Sequence, residues 1–245
     1  STGNLQLLSN GAGIDLMKTD GEYLGRFYTD GRVDLYCDNA VKLTTASTGV
    51  EIGASGVNST IKTHSAGTSN LTLGVNAGNT IESGGNYNVA IGDEAGTAIT
   101  TGDNNVVVGY AAGDAITTAQ GNTAVGYDAG GAITTGNHNT MFGYIAGQAI
   151  TTGTYNVVMG VDAGKAITTS SYNVIMGFQA GDAITTGANN VAVGYQALGS
   201  NTTASGNTAV GNSAGLSNTT GTENTFVGYQ AGDAIQQRLT IQHLE

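Results

Sequence analysis

Carboxylates, imidazoles, one thiol and a set of phenols are the side chains of this chain that could do chemistry. Asp93 and Glu94 are adjacent, so along an extended backbone they point to opposite sides. Glu94, Asp128, Asp162, Asp114, Asp182 and Asp233 are scattered over variable positions. Cleaving a glycosidic bond needs two carboxylates at a defined separation across a cleft, and these acids read instead as solvated corners. His64, His138 and His243 lie far apart and lack the spacing of metal ligands. The calcium-binding run Gly-Gly-x-Gly-x-Asp is absent. Cys37 is the single cysteine, so it forms no intrachain disulfide, and it carries no nucleophile signature; it reads as a packed thiol. The expectation is no catalytic residue, no metal and no cofactor.

What positions these groups is a repeat. Ten times between Asn70 and Gly232 the chain writes nearly the same phrase, Asn-[Thr/Val]-x-[apolar]-Gly-x-x-Ala-Gly, opening at Asn70, Asn88, Asn105, Asn122, Asn139, Asn156, Asn173, Asn190, Asn207 and Asn224. The first step is 18 residues and the other eight are 17. A fixed period of this length marks a stacked array of one small unit. Counting from each Asn as position 1, positions 1 to 6 alternate as a strand. Position 4 is apolar throughout (Leu73, Ile91, Val108, Val125, Phe142, Met159, Met176, Val193, Val210, Val227), and position 2 is Leu, Val or Thr. Position 3 points the other way and is also mostly apolar, from Ala90 to Phe226. A strand apolar on both faces is covered on both: one face lines the coil, and the other calls for a further surface, most simply another copy of the chain.

Position 5 is Gly in every repeat: Gly74, Gly92, Gly109, Gly126, Gly143, Gly160, Gly177, Gly194, Gly211 and Gly228. Glycine inside a strand weakens it unless the backbone must bend or something approaches closely, so the column predicts a crowded line along the array. Position 12, usually Ile, reads as the start of a second strand; Asn201 and Asn218 replace it in two repeats, where they either pair along the stack or mark a rearranged turn. Each repeat is thus expected to make one coil of two short strands and two corners. Aromatics recur at position 6 (Tyr110, Tyr127, Tyr144, Phe178, Tyr195, Tyr229) and at position 17 (Tyr155, Tyr172, with His138). In register they would form ladders, which stiffen the array and, at Tyr110, Tyr127, Tyr144, Tyr195 and Tyr229, are candidate glycan contacts. Thr-Thr pairs at positions 13 and 14 face opposite ways in a strand, which argues against an ice-binding rank.

Around the array, residues 5–8, 14–17, 23–28, 33–36, 41–45 and 49–52 read as short strands separated by Asn10-Gly11, Asp20-Gly21, Asp30-Gly31, Asp38-Asn39 and Thr48-Gly49, pairs suited to tight turns. The division expected is a β-strand region at 1–52, a small polar connector at 53–69, the array at 70–235, and a tail at 236–245 whose Leu244-Glu245 reads as a cloning scar on a fragment of a longer protein. The chain has 245 residues, 40 Gly, no Pro and no Trp, a composition that excludes collagen and, with 39% hydrophobic and 10% charged residues, disagrees with disorder. The net charge is −11, from 7 Lys+Arg against 18 Asp+Glu. Without clustered basic residues, nucleic acid is a poor partner, and no apolar run reaches the length of a membrane span.

The phrase Asn122-Thr123-Ala124-Val125-Gly126-Tyr127-Asp128-Ala129-Gly130 resembles the repeats of bacteriophage tail fibres and, more distantly, the head repeats of trimeric autotransporter adhesins. Tyr23-Leu24-Gly25-Arg26-Phe27-Tyr28-Thr29-Asp30-Gly31 and Ala40-Val41-Lys42-Leu43-Thr44-Thr45-Ala46-Ser47-Thr48-Gly49-Val50 resemble the shaft of marine phage tail fibres. Together these stretches cover most of the chain. The resemblance implies parallel homotrimers and left-handed coils. No stretch of this sequence matches the self-cleaving chaperone domain that ends many such fibres, so that domain is either cut off or absent.

The sequence expectation is therefore an all-β protein: a parallel β-solenoid or β-roll of 17-residue coils, a homotrimeric rod, preceded by a short-strand shaft region. Its function would be to space or present host-receptor binding, without catalysis, on a virion tail fibre, with itself and a host cell-surface receptor (a glycan among the candidates) as partners. The alternatives are a bacterial trimeric adhesin head at the cell surface, or a tailspike that degrades polysaccharide.

Overall fold

The structure is a computed structural model and describes residues 13–19, 21–28, 31–37, 40–46, 49–52 and 67–233. The expected strand at 5–8, His64, His243, the tail at 236–245, most of the connector and the side chain of Cys37 lie outside the described residues. The chain divides into two compact units, residues 1–62 and 63–245, and the described residues are all-β.

The first unit is an antiparallel meander of β1 (Gly13–Met17), β2 (Tyr23–Tyr28), β3 (Val33–Cys37), β4 (Ala40–Ala46) and β5 (Gly49–Ile52), paired in that order. Gly21 and Gly31 take φ of 90° and 87°, the positive values that the sequence demanded of its turns. Cross-strand partners Ile14, Phe27 and Val33, and Leu16, Gly25, Leu35 and Leu43, share one face. Asp15, Arg26 and Asp34 lie on the other.

The second unit is a parallel β-solenoid. Ten three-residue strands, from β6 (Leu71–Leu73) to β15 (Thr225–Val227), form one parallel sheet in strict sequence order. Every partner pair is one repeat apart, for example Thr140 with Val157 and Met141 with Val158. The strands are short because the chain is bent at both ends of each. Position 5 glycines take φ near +135° (Gly109 and Gly126 at 136°). Positions 7 and 17 are left-handed even where they are not Gly, as at Asp128 (51°), Ile145 (48°), His138 (58°) and Tyr155 (56°).

The expected second strand at position 12 is not formed. Each coil holds one strand and a run of turns. The isoleucine at position 12 sits in a reverse turn closed by its own N–H on the position 9 carbonyl, as in Ile133 to Gly130 at 3.1 Å. Left-handed residues at positions 7 and 9 keep that side from becoming extended. The turns are nevertheless stapled coil to coil: Gly130 N–H donates to Ala146 O at 3.0 Å, Thr134 N–H to Thr151 O at 3.0 Å, and Asp128 N–H to Tyr110 O at 2.9 Å.

The structure also decides which strand face is interior. Position 3 points inward, where Val107, Ala124, Met141, Val158 and Ile175 pack with the Ala of position 8 and the Ile of position 12 in one continuous core. Positions 2 and 4 point outward.

Candidate functional site

The position 1 asparagines, which open each repeat, form the spine of the solenoid. All ten are buried. Asn139 shows the pattern: its side-chain NH2 donates to Asn122 Oδ1 at 3.2 Å and to Gly153 O at 2.8 Å, while its own Oδ1 accepts from the backbone N–H and side-chain NH2 of Asn156, each at 3.0 Å. An amide is the one uncharged side chain that donates and accepts in this way, so the column is self-satisfying. The ladder varies at Asn173, whose NH2 donates to Ser170 Oγ while that hydroxyl donates on to Gly187 O. The sequence named these residues without giving them a role. The signal that could have found them is ten invariant amides at one face of a strand whose other positions are apolar.

Asn201 and Asn218, by contrast, do not stack along the axis. Each clasps its own turn, with Oδ1 accepting from the N–H and NH2 donating to the C=O of the residue three on, Ala204 and Gly221 respectively. The core volume lost with the first Ile is refilled by Leu198, fully buried at position 9 with φ of 51°.

The glycine column lies where each coil presses on the next. A Cβ on Gly143 would stand 2.5 Å from Gly160 O, and the other position 5 glycines up to Gly211 meet the following coil's backbone in the same way. At Gly228, the last in the column, the nearest atom to such a Cβ among the described residues is 3.9 Å away.

The aromatics do form ladders on the outside. Tyr110, Tyr127 and Tyr144 stack at centroid spacings of 5.3 and 5.0 Å, and Phe178 with Tyr195 at 5.5 Å. His138, Tyr155 and Tyr172 stack at 5.1 and 5.4 Å on the other flank of the strand. Glu94 beside Tyr110 holds that phenol above its usual range. Stacking occupies both faces of Tyr127 with neighbouring rings, so a sugar could meet it only at its edge. Val161 and Asn212 interrupt the position 6 column of aromatics, and Tyr229 beyond them is 74% exposed.

The acids stand at the coil corners. Asp93 is exposed, whereas Asp128 is half-buried and accepts from the Gln148 side-chain NH2, more engaged than a freely solvated corner. Burial raises the Asp114 carboxyl above the ordinary range, with Asp128 adding to the effect, and burial likewise raises Asp182, opposed by Lys165. Among the described residues, no group of three or more His, Cys, Asp or Glu could hold a metal ion, and no helix is long and apolar enough to cross a membrane.

In the first unit, Arg26 bonds Asp15 at 2.6 and 2.8 Å and lies over the rings of Tyr23 and Tyr28, and Arg32 lies 3.7 Å over Tyr28. The Arg26 hydrogen bond holds the Asp15 carboxyl below its usual range, and hydrogen bonding with Tyr28, followed by burial, pushes the Tyr36 phenol up to about 12. This polar face is a packed lattice of guanidinium and phenol groups. No protein family, no curated protein and no solved structure matches this chain.

Proposed function

We propose that the chain is a structural and adhesive segment of a trimeric phage tail fibre, spacing or presenting a host-receptor surface without catalysing a reaction. The observation that carries this reading is the solenoid's coil-to-coil bonding. Strand, turns and a buried amide column are all tied to the next coil, at a 17-residue step from Asn88 onward. Such a body is stiff along its axis and offers repeated, shallow outer surfaces, which suits spacing and multivalent contact better than turnover. Three copies multiply weak host contacts, because the second and third engagements are intramolecular. Exposed rings such as Tyr229 supply stacking contacts for host glycan.

Light scattering at micromolar concentration tests the assembly: three 24.5 kDa chains are expected per particle, and a monomer counts against the reading. A glycan array probed with the purified trimer tests the attachment role. Release of reducing sugar from host polysaccharide, lost on replacing Asp128 or Asp162, would replace the reading with a polysaccharide-degrading spike.

A further inference from the structure

Twenty side chains at positions 2 and 4 point out from the solenoid sheet, and none is charged. The array's acids all lie elsewhere on the coil. Position 4 alone stacks Leu73, Ile91, Val108, Val125, Phe142, Met159, Met176, Val193, Val210 and Val227 in one exposed or half-exposed column. In interior strands of the sheet, Phe142 is 54% exposed and Met176 37%, values foreign to the middle of a folded sheet. The aromatic ladders of positions 17 and 6 border this stripe, so that Tyr172, Val174, Met176 and Phe178 follow one another across it at alternate residues. A bare apolar face of this extent marks an interaction surface.

Its dimensions say what covers it. Nine steps of ~4.8 Å give roughly 43 Å of height, and about six residue-to-residue steps from position 17 to position 6 at ~3.3 Å give at most about 20 Å of width. The product is on the order of 800 Å², the area each partner contributes to a stable interface. An identical copy has the same rise per coil and the same bulky centre at Phe142, Met159 and Met176, so its ridges meet matching levels throughout. The meander supplies a second instance, independent of the first. One of its faces carries Arg26, Asp15 and Asp34, while the other leaves Leu16, Phe27 and Leu35 exposed.

We infer that the outward face of the solenoid sheet, positions 2 and 4 with the bordering aromatic ladders, is the seam at which copies of this chain join. This rests on the self-association proposed above and assigns its surface. The Tyr155–Tyr172 and Tyr110–Tyr144 ladders thereby become the rims of a seam, and host contact falls to the rest of the coil and to exposed rings such as Tyr229.

Single-cysteine variants test it. In a Cys37→Ser background, Val125→Cys places a thiol on the seam and Thr152→Cys one on the exposed position 14 column. Each is reacted with a charged maleimide while the particle mass is measured. The expected result is an oligomer in which Val125→Cys reacts roughly tenfold or more slowly than Thr152→Cys, since the seam must open first. An oligomer in which both thiols react alike puts the seam elsewhere and overturns this inference while leaving self-association standing. A monomer with a protected Val125→Cys thiol means that the face is covered within one chain, which also overturns it. A monomer with both thiols free overturns the inference and the proposed assembly together. Met176→Glu, half-exposed and outside the core, is expected to give monomers that keep their β-type circular dichroism; assembly at full mass would also overturn the seam.

Discussion

A methyl group on Gly143 would stand 2.5 Å from the carbonyl oxygen of Gly160, on a residue whose φ is +140°. Both the collision and the backbone conformation oppose any side chain there. Gly143→Val is therefore expected to cost more than about 4 kcal/mol and to abolish soluble protein. Among the described residues, Gly228→Ala meets no atom closer than 3.9 Å, so the φ of its backbone is the remaining obstacle there, a cost of about 1–3 kcal/mol. Yield and melting temperature of the pair separate crowding from conformation, and equal loss in both would show that the next coil is not the obstacle. The amide column makes the complementary case. Asn139→Leu strands the Gly153 carbonyl and the Asn156 N–H, both bonded by Asn139, at about 1–3 kcal/mol each. Urea denaturation should show a loss of roughly 2–6 kcal/mol with an unchanged slope. The glycines could be read from sequence because nothing but close approach or a bend explains an invariant Gly in a strand. The asparagines could not, because a polar residue at the start of a strand reads as a turn until its partners one repeat away are seen.

At the scale of the element, alternation is enough to place the strands of the meander and the one strand of each coil, and to show that both faces of that strand are apolar. It is not enough to say which face is the interior, since Val and Ile suit either. The left-handed residues at positions 7 and 17 are also hidden, because Ile145, Tyr155 and Tyr172 are residue types that seldom adopt this conformation. For that reason the pattern suggests a second strand where the chain makes turns. The corner those turns build has an electrostatic consequence. Burial and the neighbouring Asp128 raise Asp114 in the folded chain, so the folded state holds that proton more tightly than the unfolded one. Its ionised form opposes folding at pH 7, and the penalty is relieved as pH falls through the folded value toward about pH 4, the ordinary carboxylate value. Asp114→Asn is expected to melt higher than the parent at pH 7, with the difference closing as pH is lowered. A difference that is constant with pH would assign the effect to packing rather than charge.

For the whole molecule, the period is the strongest statement the sequence makes, and it is also a statement about cooperativity. Each coil bonds only its two neighbours, so stability is close to a sum of coil and interface terms. Removing residues 122–138 joins Gly121 to Asn139 and deletes one full coil. Asn105 then meets Asn139, Gly109 meets Gly143, and Tyr110 stacks on Tyr144, with every inward position still inward. The shortened protein is expected to stay soluble, to keep its β-type circular dichroism, and to assemble with the particle's mass lower by one coil per chain. Removing only residues 122–129 leaves about nine residues to close a coil that needs the full repeat. The Asn and Gly columns then fall out of line, and that variant should aggregate. If the two deletions behave alike, the coil is not the unit of folding. If the one-coil deletion survives but no longer assembles, its lost Thr123 and Val125 carry more of the seam than their single level in the stack implies.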